Sequence, residues 1–144
     1  MMKVMHLAII VLLSLVVAAC GNNGTGNVVN TPNGFGAIEG NPIVFYFYGE
    51  GCPYCTLQKA FLDEMEDKYP DINIVSLETW SNRDNQALLM QMASAYGFTP
   101  RGVPVTFIGD RYWAGFNSAL GSQMESKIVS CIESGCENPY HRIQ

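Results

Sequence analysis

Cys52 and Cys55 stand three positions apart in Gly51-Cys52-Pro53-Tyr54-Cys55. The pair follows the apolar run Ile43-Val44-Phe45-Tyr46-Phe47-Tyr48 and precedes a helical pattern that begins near Thr56. Two thiols at this spacing on a strand-to-helix turn are the parts of a dithiol that opens and closes. A helix N-terminus favours negative charge and lowers the pKa of a thiol held there. Cys52 is therefore the expected nucleophile, exposed at the helix mouth. Cys55, one turn in and shielded, is expected to resolve the mixed disulfide. Pro53 suits the first helical position, where its missing N–H costs nothing. Pro53, Tyr54 and Tyr48 are the expected contacts around the sulfur. Glu50 reads as a solvated carboxylate, with proton shuttling or repulsion of the thiolate as alternatives. Two other readings of the pair stay open: a permanent disulfide, and a zinc site that also draws on Cys131 and Cys136.

Cys131 and Cys136 are five apart near the end of a helical pattern, where a continuous helix would point them in different directions. Gly135 lies between them. With Gly135 in a left-handed position past the helix end, the two cysteines would touch as C3 and C″ of a Schellman motif. A structural disulfide is the expectation and a second redox pair the alternative. His141 falls in a polar tail after Pro139 and reads as exposed. Met90, Met92 and Trp113 read as packing residues. No metal site, phosphate loop or Ser-His-Asp set stands out, so neither metal nor cofactor is expected.

These residues need elements to hold them. Residues 43–48 are almost wholly apolar, which predicts a strand covered on both faces. A helix should follow with a stripe of Leu57, Phe61, Met65 and Tyr69, stopped by Pro70. Residues 72–77 predict a second strand. Residues 82–96 predict a helix with Ala87, Leu88, Met92 and Ala95 on one side, ended by Gly97. Residues 103–108 predict a third strand, and Gly109-Asp110 a hairpin into a fourth over 111–116. A last helix runs to Ser134 with a stripe of Leu120, Met124, Ile128 and Ile132. Ser122 and Glu125 have capping-box spacing, while Asn117 and Ser118 are rival caps. The order is β-α-β-α-β-β-α. The alternation predicts parallel strands joined by crossover helices, with an antiparallel edge added by the hairpin.

The N-terminus reads as an address and not as fold. Lys3 precedes an apolar run over residues 7–17, too short to span a bilayer as a helix. The run ends in Val17-Ala18-Ala19-Cys20, which resembles the lipobox of bacterial lipoproteins. That resemblance implies cleavage after Ala19 and lipidation of Cys20. Ordinary cleavage after Ala19 and an uncleaved anchor are the alternatives. Residues 20–37 are rich in Gly and Asn and read as a flexible tether, leaving residues 38–144 as one domain. Export favours oxidised cysteines. The whole chain has 8 Lys and Arg against 13 Asp and Glu. Setting aside residues 1–19, which hold one lysine, gives 7 against 13, a balance of −6. Such a balance argues against nucleic acid and against adhesion to anionic lipid through charge.

The order of elements resembles the thioredoxin fold in its compact, glutaredoxin-like form. Cys52-Pro53-Tyr54-Cys55 is the glutaredoxin active-site tetrapeptide. Gly102-Val103-Pro104 resembles the family's cis-proline segment at the start of the third strand. Gly109-Asp110 and Ala114-Gly115-Phe116-Asn117 resemble the hairpin and glycine turn that follow. The likeness covers about residues 40–134. It implies an α/β domain with a central four-stranded mixed sheet flanked by helices. It also implies a cis Pro104 facing Cys52, with Val103 offering backbone to an extended substrate. Three departures stand out. Tyr46 falls where classical thioredoxins carry a buried aspartate, Gly102 replaces the glutaredoxin threonine, and Ala114-Gly115 stands where glutaredoxins carry two glycines.

The expected activity is thiol–disulfide exchange outside the cytoplasm by a lipid-anchored monomer. Reduction of exported proteins is the favoured direction, and a separate redox partner resets the dithiol. A disulfide-forming oxidant and a non-catalytic binding lipoprotein are the alternatives.

Overall fold

The run that reads as doubly covered is the centre of the sheet. In the computed structural model, which describes residues 41–144, Ile43–Tyr48 forms β1. Helix α1 (Pro53–Lys68), β2 (Asn73–Glu78), α2 (Arg83–Ala95), β3 (Val105–Ile108), β4 (Arg111–Ala114) and α3 (Ser118–Ser134) follow, then a 3₁₀ turn over Pro139–Ile143. The expected signal peptide, Cys20 and the tether lie outside the described residues, as do residues 38–40.

The four strands are ordered β2-β1-β3-β4. The apolar alternation of β1 feeds two cores. Val44 and Tyr46 face Cys52, Cys55, Leu62, Met65, Met124 and Ile128 on the α1 and α3 side. Ile43, Phe45 and Phe47 face Leu88, Leu89, Met92 and Phe107 on the α2 side. Each such apolar side chain is worth about 1.5–3 kcal/mol when fully buried. Truncating Phe107, which is wholly buried, should cost about 3–5 kcal/mol.

The direction of β3 differs from the parallel expectation. β1 and β2 are parallel, but β3 runs antiparallel to β1, pairing Phe47 with Val105 and Val44 with Ile108. The connection through residues 96–104 is long enough to carry the chain back to the end of the sheet it left. That return brings Val103 and Pro104 to the same end as Cys52.

Helix registers also shift. The inward residues of α1 are Cys55, Gln58, Leu62 and Met65, whereas Leu57 is 59% exposed. A strict spacing of four drifts about 40° per step around a 3.6-residue helix, so the expected stripe rotates off the core. On α2 the buried set is Leu88, Leu89, Met92 and Ala93, with Ala87 and Ala95 outside. Ile132 of α3 is exposed for the same reason. Asn117 caps α3, accepting the Leu120 N–H at 2.9 Å. Ser122 is inside the helix, its hydroxyl donating to the Ser118 carbonyl at 3.2 Å.

The C-terminal tail is anchored. Tyr140 is buried and stacks on Phe45 with ring centroids 6.3 Å apart, while His141 is exposed.

Candidate active site

Cys52 is the N-cap of α1, with Pro53 at the first helical position. The cap geometry follows from the sequence. Gly51 takes φ 79°, a left-handed value that glycine allows without strain. The Cys52 N–H then reaches the Gly49 carbonyl at 3.2 Å. The Cys52 Sγ takes the role a serine or aspartate oxygen plays at most helix starts, accepting the Cys55 N–H at 3.2 Å. A sulfur held there meets an unsatisfied backbone donor and the positive end of the helix, and both favour the thiolate.

A disulfide joins Cys52 and Cys55, with Cα atoms 5.2 Å apart. Cys55 is buried, 3% exposed. Cys52 is only 6% exposed, so the open nucleophile expected from the sequence is instead nearly covered. The cover is the Val103–Pro104 segment, whose peptide bond is cis. The Val103 carbonyl oxygen stands 3.8 Å from the Cys52 Sγ. With both sulfurs in a disulfide there is no S–H to donate, so this is a packing contact. Pro53 and Tyr54 are exposed beside the pair, Pro104 is buried and Val103 half-buried.

Tyr46 lies beneath the helix. Its hydroxyl donates to the Cys55 carbonyl at 2.7 Å, and burial, foremost, pushes the phenol pKa well up. Where an aspartate would offer a base, Tyr46 offers a donor that keeps its proton at neutral pH. A cavity of about 270 Å³ opens beside Cys55, lined among others by Tyr46, Tyr48, Glu50, Lys59 and Ser76. The Asp63 carboxylate holds the Lys59 pKa up. Tyr46 and Lys59 thus stay protonated, and neither can receive a proton from Cys55.

Sequence periodicity does not mark two features of the site, Gln58 and Trp80. Gln58, wholly buried one turn after Cys55, donates through Nε2 to the Thr106 hydroxyl and lies 3.5 Å from the Met124 Sδ. Its Oε1 has no hydrogen-bond partner among the described residues. Trp80, 62% exposed, lies against Gly49. Tyr54 and Leu57 are exposed at 62% and 59% on the first turns of α1. The signal for Gln58 was a polar residue three after Cys55 and four before Leu62, at core spacing.

Cys131 and Cys136 form a second disulfide, Cα atoms 4.9 Å apart. Gly135 has φ 73° and ψ 158°, outside the left-handed helical region, so the expected Schellman geometry is replaced by an extended turn. The four cysteines make two separate pairs. Among the described residues no group of three or more His, Cys, Asp or Glu is placed to hold a metal.

No family model matches the chain. A glutaredoxin from Ricinus communis is 33% identical over 95 residues, which cover 66% of this chain and 85% of that protein. Among solved structures, the chain is similar to one assigned as the thiol:disulfide interchange protein DsbE of Chlorobium tepidum. The TM-score is 0.50 and the identity 15%, over 65% of this chain and 81% of that one. A chain from the structural study of thiol resolution in yeast mitochondrial 1-Cys peroxiredoxin via glutathione/thioredoxin systems also has TM-score 0.50, at 20% identity over 70% of this chain and 90% of that one. At these identities the solved structures speak for the fold, which is thioredoxin-like.

Proposed function

The chain belongs to the glutaredoxin family, and from that premise we propose that it reduces disulfides of exported proteins while held to a membrane by a lipid on Cys20. It is a thiol–disulfide oxidoreductase of thioredoxin fold with a Cys52–Cys55 pair. The observation that carries the catalytic assignment is the Cys52 sulfur at the α1 N-cap, 3.2 Å from the Cys55 N–H and beside cis Val103–Pro104.

The exchange runs in two displacements. The Cys52 thiolate attacks one sulfur of the substrate disulfide. That S–S bond breaks, a mixed disulfide to Cys52 forms, and the other substrate sulfur leaves as a thiolate. Cys55 gives up its proton on the cavity side and attacks the Cys52 Sγ. The second substrate thiolate leaves and the Cys52–Cys55 disulfide closes. Two electrons pass to the substrate, and an external dithiol partner returns two to the enzyme. Backbone of Val103 offers the pairing edge for an extended substrate, with Pro53 and Tyr54 in contact beside it.

Support for export and anchoring is the sequence over residues 1–20. Among the described residues no helix is long and apolar enough to cross a membrane. Support for the reducing direction is the absence, between β2 and β3, of any inserted domain beyond α2. Insulin reduction tests the activity, with wild type beside Cys52→Ser. Wild type should turn over and the variant should not; equal rates would remove the dithiol from the mechanism. A redox titration tests the direction. A midpoint near or below the value of about −270 mV typical of thioredoxin fits a reductase, and one far above it fits the oxidant alternative.

A further inference from the structure

We propose that Trp80, presented by a turn built on the Glu78 carboxylate, is a specificity-determining contact for polypeptide substrates that carry an apolar side chain next to the attacked cysteine. The proposal rests on the oxidoreductase reading of Cys52.

Trp80 is the more exposed of the two tryptophans, 62% against 5% for Trp113. An exposed indole on an untethered loop would pay no part in recognition, but this one is fixed on both sides. The Glu78 carboxylate accepts the N–H groups of Trp80 at 2.7 Å, Ser81 at 2.9 Å and Asn82 at 3.2 Å. The Ser81 hydroxyl joins them. Before the tryptophan, the Thr79 N–H and hydroxyl both reach the Tyr48 carbonyl at 2.9 Å. After it, Asn82 caps α2, and the Asn85 amide donates to the Glu78 carbonyl at 2.9 Å.

The ring has a defined seat. It lies so close to Gly49 that a Cβ there would fall 2.3 Å from its atoms. The Gly49 carbonyl is also the acceptor for the Cys52 N–H. The platform and the nucleophile therefore share one turn. Sheet order sets the rest. β1 ends at Cys52's loop, β2 on one side ends at Trp80's turn, and β3 on the other begins just after Val103–Pro104. Trp80 and the cis-proline segment thus flank Cys52 across β1.

The span selects the occupant. Two strand spacings of about 4.8 Å separate β2 from β3, so a ligand touching both flanks must reach roughly 10 Å. That is about three extended residues at 3.3 Å each. A disulfide without an apolar side chain beside its sulfur leaves the indole uncovered. An extended polypeptide meets Val103 with its backbone and lays a neighbouring side chain on the indole. Tyr54, exposed between the two cysteines, adds apolar surface beside the sulfur, whereas Leu57 lies toward Phe116 and Gly121 on the α3 side. The indole face itself favours an apolar side chain.

The test compares wild type, Trp80→Ala and Trp80→Phe on insulin, glutathione disulfide and bis(2-hydroxyethyl) disulfide. An aromatic anchor of this kind should set a factor of about ten. For Trp80→Ala the ratio of kcat/KM on insulin to that on the small disulfide should fall about tenfold through KM, and Trp80→Phe should restore most of it. In a Trp113→Phe, Cys55→Ser background, trapping insulin on Cys52 should shift the Trp80 emission to the blue. An unchanged ratio, an equal loss on glutathione disulfide, or emission indifferent to trapping would each overturn the proposal. Wild type inactive on all three disulfides would instead overturn the oxidoreductase reading beneath it.

Discussion

At the residue scale the chemistry turns on what each side chain donates. Replacing Cys52 with serine keeps an N-cap acceptor, since a hydroxyl oxygen fills the place the sulfur holds toward the Cys55 N–H. Cys52→Ser should therefore fold with a near-normal melting temperature and lose turnover completely. Cys55→Ser should do something different: attack proceeds, resolution does not, and a covalent substrate adduct accumulates that mass spectrometry detects. Tyr46→Phe deletes the bond to the Cys55 carbonyl and should cost about 1 kcal/mol in a denaturant midpoint. Gln58 and Thr106 form a buried polar pair. Gln58→Leu alone strands the Thr106 hydroxyl and should cost about 1–3 kcal/mol, whereas adding Thr106→Val should recover most of that loss.

At the element scale, turns and helix ends carry the devices. The Cys131–Cys136 disulfide ties the end of α3 to the segment that leads into Tyr140. A Cβ on Gly109 of the β3–β4 hairpin would come 3.1 Å from the Cys136 Cβ, so the staple also packs on that hairpin. The closed loop is short, and a chain-entropy argument gives about 2 kcal/mol for its removal. The double variant Cys131→Ser, Cys136→Ser should lose about that stability and keep insulin turnover; normal stability with lost turnover would make the bond a second redox pair. The Glu78 turn has a pH signature. The Ser81 hydroxyl above all, with the N–H groups of Ser81, Trp80 and Glu50, lowers the Glu78 pKa from 4.5 to about 2. A depressed carboxyl pKa stabilises the turn above the ordinary value and ceases to do so as pH falls toward the folded one. Trp80 emission in a Trp113→Phe protein should hold steady above pH 4.5 and change between pH 4.5 and about 2.

At the scale of the whole molecule, local patterns were legible and return paths were not. The apolar run of β1 announced two cores because every residue of a central strand is covered on one face or the other. The Cys52–Cys55 turn was legible because its strand, proline and helix are contiguous. The direction of β3 was not, since it depends on where residues 96–104 turn back, and no periodicity encodes that. Tyr140 escaped notice because a single aromatic on a 3₁₀ turn leaves no repeating pattern. Trp80 escaped because its position comes from a carboxylate two residues earlier and a glycine thirty-one residues earlier. Anchoring belongs to this scale too. Cys20→Ser should move the expressed protein from the membrane fraction to the soluble one with the dithiol still active, as read by immunoblot of the two fractions.

The most direct measurement is the pH dependence of Cys52 alkylation in the reduced protein, with Cys55 replaced by serine and the Cys131–Cys136 bond intact. The N-cap seat predicts a thiol pKa clearly below the value of about 8.5 for free cysteine. A pKa at or above that value would contradict the account at its centre.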